Sequence, residues 1–378
     1  MRAGCSWSQE GLEESAVRRV LERLRGMLGL GRGEDSREPK VVRAAFLFLA
    51  VAATIWFFAA RDETGRTARL SADAWYYHAY LPSLGLDHDL DFTNEYRVTH
   101  NWYRFGTTER GRPANVFGIG PAVFSSPWFI VGHALARGFT SHADGFSAVE
   151  VKTTLLASLF FSLASLFFGY RLLRRRLGAP YRAAGAVILA ALGGPLIYYA
   201  VRQPGYAHPF AAFWVAWLVD AWDATFGAEA HAPPRGWRTW LCLGALLGAA
   251  TLARPQLALW GGILAVAAVD DVLRGIRLRK EYGTWRATGH ALVASAPRWA
   301  AGAMTAALVF SPQLFSWKAL YGHYYVVPQG PGFMWWDEPA WSEVLFSSRN
   351  GLFPWAPLCA VSAVGLVAVA RQQPRLVA

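Results

Sequence analysis

Residues 41–60 have the sequence Val41-Val-Arg-Ala-Ala-Phe-Leu-Phe-Leu-Ala-Val-Ala-Ala-Thr-Ile-Trp-Phe-Phe-Ala-Ala60. The run contains a single charged residue, Arg43, and as an α-helix it is long enough to cross the ~30 Å hydrocarbon core of a bilayer. Further apolar runs occur at 151–170, 183–200, 209–225, 239–253, 257–272, 292–310 and 352–370. The sequence therefore predicts an all-α polytopic integral membrane protein with about eight transmembrane helices.

The composition supports the same class. Apolar residues make up 54% of the 378-residue chain and charged residues 17%, whereas an average soluble domain is about 25% charged. A soluble chain of this length has too little interior to bury so much apolar surface, and a disordered, collagen-like or disulfide-stapled chain is excluded. The cysteines, Cys5, Cys242 and Cys359, lie far apart, so neither a zinc site nor a disulfide framework is predicted.

The formal net charge of +11 bears on the partners. In a soluble protein it would suggest nucleic acid, but the sequence has no zinc-finger, RRM or helix-turn-helix signature. In a membrane protein, arginine accumulates in cytoplasmic loops and contacts anionic head groups. We therefore expect membrane lipids, and no nucleic acid, among the partners.

The apolar stretch 116–136 decides the topology. If it crossed the membrane, the arginine cluster at 171–182 would face outward; if it does not cross, that cluster faces the cytoplasm, as the positive-inside rule favours. The stretch carries Gly118, Gly120, Pro121 and Pro127, which suit a broken or interfacial helix. Both chain ends are then cytoplasmic, and two long segments, 61–150 and 315–350, face outward.

Residues 1–40 form a separate cytoplasmic segment ahead of the transmembrane domain, 41–378. Apolar residues at helical spacing lie opposite Arg18, Arg19, Arg23 and Arg25. The pattern predicts a basic amphipathic helix on the inner membrane surface, with a disordered tail as the open alternative. It does not indicate a signal peptide, because the apolar run begins only after residue 40.

The first outer segment contains Ser71-Ala-Asp-Ala-Trp-Tyr-Tyr-His-Ala-Tyr80. A carboxylate held among aromatic rings at the membrane surface loses part of its hydration, which makes Asp73 a candidate general base. The alternative is an ordinary interfacial aspartate beside an aromatic belt. Downstream, Asp87, Asp89 and Asp91 could bind a divalent cation through oxygen, but solvated carboxylates are the favoured interpretation and no metal cofactor is predicted.

Other polar residues near the predicted span ends are candidates for binding. His208 opens one span and Arg254 ends another; an arginine there either grips a phosphate or extends to lipid head groups. Asp220 and Asp223 are interpreted as interfacial. In the second outer segment, Trp335 and Trp336 could form a sugar-binding wall or interface anchors, and Arg349 could meet a phosphate. Each of these residues is indicated by its own position along the chain.

The order of these features resembles the membrane glycosyltransferases of the GT-C fold, such as protein O-mannosyltransferases and the aminoarabinose transferases of lipid A. The resemblance rests on an apolar span, on the Asp-x-x-Tyr-Tyr-x-x-Tyr stretch from Asp73 to Tyr80, and on a non-crossing apolar helix. It also rests on the late stretch Glu343-Val-Leu-Phe-Ser-Ser-Arg-Asn-Gly-Leu-Phe-Pro-Trp355. It implies a GT-C-like arrangement with a long first outer segment that contains juxtamembrane helices.

The resemblance also implies roles for individual residues. Asp73 matches the catalytic base, and Asp91 or Glu95 matches a residue that supports acceptor or donor binding, with Tyr76 and Tyr77 beside the base. Relatives hold the donor phosphate with a lysine at the start of the non-crossing helix. The stretch Asn115-Val-Phe-Gly-Ile-Gly-Pro121 has no lysine, so Arg112, Arg254 or Arg349 would replace it.

The expected function is an inverting glycosyltransferase of the bacterial inner membrane, acting at the periplasmic face. It would move a sugar from a polyprenyl-phosphate donor to a hydroxyl of a lipid, glycan or protein. A transporter or lipid flippase is the alternative from another class; it predicts inverted repeats and midplane charges, and no repeat is visible. A non-catalytic assembly subunit is the third possibility, which the missing lysine allows.

Overall fold

The structure is a computed structural model that describes residues 38–60, 70–140, 142–226, 232–278, 284–330, 333, 337–349 and 351–372. The predicted amphipathic helix near the N-terminus lies outside the described residues. The structure is 75% helical, and the described residues contain no strand beyond an isolated antiparallel bridge between Thr107 and Pro113. Contacts divide the chain into two units, 1–45 and 46–378, and the second unit contains nearly all of the described helices.

The described helices follow one another with short connections. They are α1 Lys40–Ala59, α2 Asp73–Pro82 with a π-helical turn Ser83–Asp87, α3 Thr93–Thr99, α4 Gly120–Phe139, α5 Ala148–Leu177, α6 Pro180–Gly193, α7 Leu196–Val201, α8 His208–Ala224, α9 Trp237–Ala253, a 3₁₀ helix Pro255–Trp260, α10 Gly261–Leu278, α11 Thr284–Tyr321, α12 Trp341–Phe346, α13 Leu352–Trp355 and α14 Pro357–Gln372.

Each apolar run of the sequence falls on helical structure, but the helices differ in length. Four are long and apolar enough to cross a membrane: Lys40–Ala59, Ala148–Leu177, Pro255–Leu278 and Trp285–Tyr321. The helices α8 and α9 have 17 residues each, and the run 183–200 is split into α6 and α7 by Gly193, Gly194 and Pro195. A count of eight spans therefore remains a prediction, whereas the all-helical class is confirmed.

Helix α5 lies at the centre of the fold, where it packs against α4, α6, α7 and α8. Its aromatic side chains form a buried cluster with those of α8, in which the ring of Phe161 lies 4.9 Å from the rings of both Phe210 and Phe213. Helix α9 packs against α8 and, along its whole length, against α11. Gly244 and Gly248 of α9 face Gly302 and Ala306 of α11, and this small-residue surface lets the two backbones approach closely.

One end of the bundle is held together by buried ion pairs. Asp220 on α8 accepts from Arg175 of α5 at 2.7 Å, and Asp223 pairs with Arg175 at 2.9 Å and with Arg176. Asp220 and Asp223 thus lie at a helix end, as expected from the sequence, but they are buried rather than interfacial. A second group joins Arg235 and Arg274 to Asp270 and Asp271. We call this region, formed by Arg171, Arg175, Arg176, Arg235, Arg274, Asp220, Asp223, Asp270 and Asp271, the arginine end.

The direction of the helices places Asp73 at the opposite end. Helices α5 and α8 end at the arginine end, so the start of α8 at His208 lies away from it, as does the end of α9 at Arg254. Helix α2, which begins at Asp73, packs against α4 at this other end, and the turn before His208 contacts it. The fold thereby separates its arginine-rich end from the end that carries the candidate site.

Candidate functional site

Asp73 is the first residue of α2, and the backbone before it is strained. Ala72 has φ +43°, a conformation that a residue with a side chain rarely adopts and that is usually found where the surrounding structure enforces it. The unpaired N–H groups of the first helical turn favour a carboxylate at this position. The phenol of Tyr206 accepts a hydrogen bond from the Asp73 backbone N–H and another from the Ser71 hydroxyl. Asp73 is therefore held in place by its helix and by the turn before α8.

The carboxylate of Asp73 has a hydrogen-bond partner in the loop after α3. The Tyr103 hydroxyl donates to Asp73 Oδ1 at 2.7 Å. Burial and the neighbouring Asp73 charge raise the pKa of Tyr103, so its phenol keeps the proton that it donates. Asp73 itself is only partly buried. A substrate hydroxyl that replaced Tyr103 would meet a carboxylate oriented to accept a proton.

Arg254 and His208 form the other half of the site. Arg254 Nη1 lies 3.1 Å from His208 Nδ1. A guanidinium group has no acceptor, so His208 Nδ1 must accept, and the imidazole is neutral with its proton on Nε2. The His208 ring stacks on Tyr199 with 4.1 Å between ring centroids. The chain ends of α8 and α9 thus orient a cation whose remaining donors are available for an anion.

Tyrosines connect the two halves. Tyr77 on α2 and Tyr199 on α7 each lie within electrostatic reach of both Asp73 and Arg254. Burial raises the pKa of Tyr77, so this phenol is a hydrogen-bond donor at neutral pH. A carboxylate, a guanidinium, an imidazole and several phenols therefore surround one place. We call these residues the Asp73 cluster: Asp73, Tyr77, Tyr103, Tyr199, Tyr206, His208 and Arg254.

Gly205 lets the turn before α8 reach Asp73. Its φ of +92° suits glycine, and a Cβ there would lie 2.9 Å from the Ala74 Cβ and 2.9 Å from Leu155 Cδ2. Its N–H donates to the Ser158 hydroxyl at 2.8 Å, which anchors the turn on α5. Because Tyr206 and His208 follow directly, this glycine sets the distance between α2 and the start of α8.

Replacing Gly205 by alanine should therefore damage stability and site geometry together. We expect a loss of about 1–3 kcal/mol, the usual cost of overpacking, because both the φ angle and the space are wrong for a side chain. The melting temperature in detergent measures the loss. Gly262→Ala is the matched control, since a Cβ on that α10 glycine meets open space; equal melting temperatures for the two variants would contradict the prediction.

The acidic loop after α2 is separate from the Asp73 cluster. Asp87 accepts from the Asn94 amide at 2.7 Å, Asp89 from the Ser83 hydroxyl at 3.1 Å, and Asp91 from the Thr93 hydroxyl at 2.6 Å. Within the described residues, no group of three or more His, Cys, Asp and Glu side chains could hold a metal ion. The loop therefore uses these carboxylates to satisfy its own donors.

Glu95 is the exception in this loop, because its side chain is buried. It is 0% exposed, and both carboxylate oxygens have no hydrogen-bond partner within the described chain. Burial, followed by repulsion from Asp87 and Asp89, raises the pKa of Glu95 to about 8. The protonated form is thus the one that the fold accommodates at neutral pH.

The buried Glu95 carboxyl should make stability depend on pH. Between its ordinary pKa and about 8, the folded chain holds a proton that the unfolded chain releases, so stability falls as the pH rises through this window. We expect melting temperatures measured from pH 5 to pH 9 to record a decrease of about 2 kcal/mol. Glu95→Gln should flatten the profile, whereas Asp91→Asn, an exposed change in the same loop, should leave it unchanged; a slope that persists in Glu95→Gln contradicts this assignment.

The structure brings some of the sequence-predicted residues together and separates others. Asp73, Tyr77, His208 and Arg254 meet in one cluster, with Tyr76 directly beneath Tyr103. Asp91 and Glu95 belong to the acidic loop. In the described part of the chain, no hydrogen bond or ion pair joins the Arg112 or Arg349 side chain to the cluster. Trp335 and Trp336 lie outside the described residues.

Sequence reasoning did not single out Tyr103, Tyr199 or Tyr206 as site residues. Tyr206 lies within the Tyr-Ala-His-Pro stretch that drew attention to His208, so proximity in sequence could have indicated it. Tyr103 and Tyr199 reach the site only through the folding of their loops, and no local pattern marks them.

Comparisons with known proteins add no relative: no family model, no curated protein and no solved structure matches the chain. The chemistry of the site is therefore argued from the residues of this chain alone.

Proposed function

We propose that the chain is an integral membrane glycosyltransferase that moves a sugar from a polyprenyl-phosphate donor to an acceptor hydroxyl. The observation that carries the proposal is the meeting of Asp73 and Arg254 in one tyrosine-lined cluster, although they lie on different helices. Transfer from a phosphate-linked donor needs two elements: a base for the acceptor and a cation for the leaving group. The cluster contains one of each.

In the proposed reaction, Asp73 takes the proton of the acceptor hydroxyl. The acceptor oxygen attacks the anomeric carbon and forms the new glycosidic bond, while the bond from that carbon to the phosphate oxygen breaks. Polyprenyl phosphate leaves with the electron pair, and the anomeric configuration inverts. A phosphate is a stable anion, so a second carboxyl group acting as general acid is not required.

Arg254 would contact the departing phosphate. Its planar fork matches two phosphate oxygens, and the contact with His208 fixes the orientation of that fork. The phenol of Tyr77 would supply a further hydrogen bond. The neighbouring apolar helices allow a lipid-linked donor to approach laterally from the bilayer. In this view the arginine end faces the cytoplasm and the Asp73 cluster faces the periplasm, as the positive-inside rule favours.

The transporter alternative explains the helices less well than it explains charge within them. A transporter should place its ionisable groups near the middle of its helices. Among the described residues, the paired Arg and Asp side chains of α5, α8 and α10 lie at the arginine end, while Asp73, His208 and Arg254 lie at helix ends on the other side. This arrangement favours chemistry at a surface.

Transfer of radiolabelled sugar from synthetic polyprenyl-phosphate donors, in proteoliposomes containing the purified chain, tests the proposal. We expect donor-dependent transfer by the wild-type chain. Arg254→Lys keeps the charge but loses the fork, so it should lower transfer about tenfold. Arg112→Lys, outside the cluster, is the matched control and should transfer normally. No transfer from any donor by a well-folded preparation would overturn the proposal.

A further inference from the structure

Tyr103 is part of an aromatic group that surrounds Tyr76. The two rings stack nearly parallel, 12° apart with 5.3 Å between their centroids. Phe105, Phe117 and Tyr96 contact the Tyr76 ring from other directions, at centroid distances of 4.8, 5.4 and 5.4 Å. As a result, Tyr76 is 1% exposed, whereas Tyr103 is 41% exposed. Tyr103 is therefore the outermost ring of the group, and it covers Tyr76 from solvent.

The loop that carries Tyr103 is strained. His100, Asn101 and Arg104 have φ angles of +56°, +38° and +53°, and none of them is glycine. Such backbone persists only where contacts enforce it. Here the contacts are made by Tyr76, whose hydroxyl accepts from the Tyr103 N–H at 2.6 Å and donates to Asn101 Oδ1 at 3.1 Å. Because the strain depends on so few contacts, the loop can release Tyr103 without rearranging the helices.

We propose that Tyr103 occupies the place of the acceptor and that the acceptor is a pyranose sugar; this inference rests on the proposed glycosyltransferase function. Tyr103 presents a flat six-membered ring to Tyr76 and, at the edge of that ring, a hydroxyl to Asp73 at 2.7 Å. A pyranose has the same two features: a C–H face that packs on an aromatic ring and hydroxyls around its edge. The hydroxyl of a serine side chain or of glycerol has no such face.

When the loop opens, an acceptor ring would replace the Tyr103 ring on Tyr76, and one of its hydroxyls would replace the phenol at Asp73. Tyr103 is thus a positioning residue: it keeps the Asp73 carboxylate oriented while the site is empty and excludes hydroxyls that bring no ring. The acceptor class follows from the covered surface, since only a ring-shaped alcohol can replace both contacts.

Binding of methyl pyranosides to the full chain in detergent, measured by saturation-transfer NMR, tests this inference without a donor. The probes are the methyl glycosides of glucose, galactose and mannose, with N-acetylserinamide as the open-chain alcohol. Tyr103→Ala should bind at least one pyranoside about three- to tenfold more tightly than wild type, the range that one aromatic contact is worth. Tyr103→Phe keeps the cover and should show no gain, and neither should Tyr181→Ala, an exposed tyrosine on α6.

The outcomes separate the two proposals. If Tyr103→Ala gains no pyranoside binding, or gains serinamide binding equally, the inference is wrong even where donor-dependent transfer is observed. If pyranosides bind but no donor supports transfer, the glycosyltransferase proposal fails and the sugar site stands. Should Tyr103→Ala not fold, Tyr103→Leu also uncovers Asp73 while shielding Tyr76 in part; a folded Tyr103→Leu variant without any gain overturns the inference.

Discussion

Replacing Asp73 by asparagine should lower sugar transfer by about 10²–10⁴-fold, the range that general-base catalysis contributes. Asparagine has nearly the same shape and can still accept the hydrogen bond that Tyr103 donates to Asp73 Oδ1, so the fold should be unchanged. What the variant lacks is a group that can take the acceptor's proton. Single-turnover transfer from the radiolabelled donor measures the effect, with the melting temperature recorded for both chains.

Asp144→Asn is the matched control for this change. Asp144 is an exposed residue of the same outer segment, and its side chain accepts from the Phe146 N–H at 2.9 Å, a contact that asparagine can also make. It should transfer at the wild-type rate. Equal rates for Asp73→Asn and wild type would remove Asp73 from the mechanism, whereas equal losses in both variants would indicate a general effect of charge in the segment.

Asp271→Ala should be the most destabilising single change at the arginine end. The carboxylate is 0% exposed, and it accepts from the Arg235 N–H and Nη1 and from Trp240 Nε1, each at 2.9 Å. Truncation leaves all three donors buried without this acceptor and deprives Arg235 of its buried counter-ion. Breaking a buried pair in this way costs about 3–5 kcal/mol. We expect a large fall in melting temperature and a low yield of folded protein.

Asp270→Ala provides the comparison, because Asp270 also pairs with Arg235 but remains 19% exposed at its side chain. Partly hydrated pairs contribute less, so its loss should be about 1 kcal/mol or smaller. If the two variants melt at the same temperature, burial does not set the strength of this network. Neither variant, once folded, should alter pyranoside binding, since both lie at the end opposite the Asp73 cluster.

The helices could be predicted from the sequence because a long apolar run has few alternatives to a helix. Residues 151–170 and 292–310 illustrate this, since both fall within long helices. The length of a helix was less predictable: the run 183–200 is apolar throughout, yet it breaks at Gly193–Pro195, where backbone preference outweighs hydropathy. Local residue types decide such breaks, and a hydropathy average does not detect them.

The site was only partly predictable. Asp73, His208 and Arg254 could be selected individually, because ionisable groups at the ends of apolar runs are costly and so indicate a specific role. Their partners could not. The contact between Arg254 and His208 depends on how α8 and α9 pack, and the bond from Tyr103 to Asp73 depends on three unusual φ angles. The buried pairs of Asp220 and Asp223 were missed for the same reason.

The close approach of α9 and α11 has a mechanical consequence. Two backbones joined through Gly244, Gly248, Gly302 and Ala306 behave as a single stiff strut, and Arg254 stands directly at its tip. Asp73, in contrast, is carried by the short helix α2 on a turn with strained backbone. Any widening or narrowing of the gap between carboxylate and guanidinium is then a displacement of the Asp73 side against a fixed reference. The strut is the stationary part of the site, and α2 with its loops is the moving part.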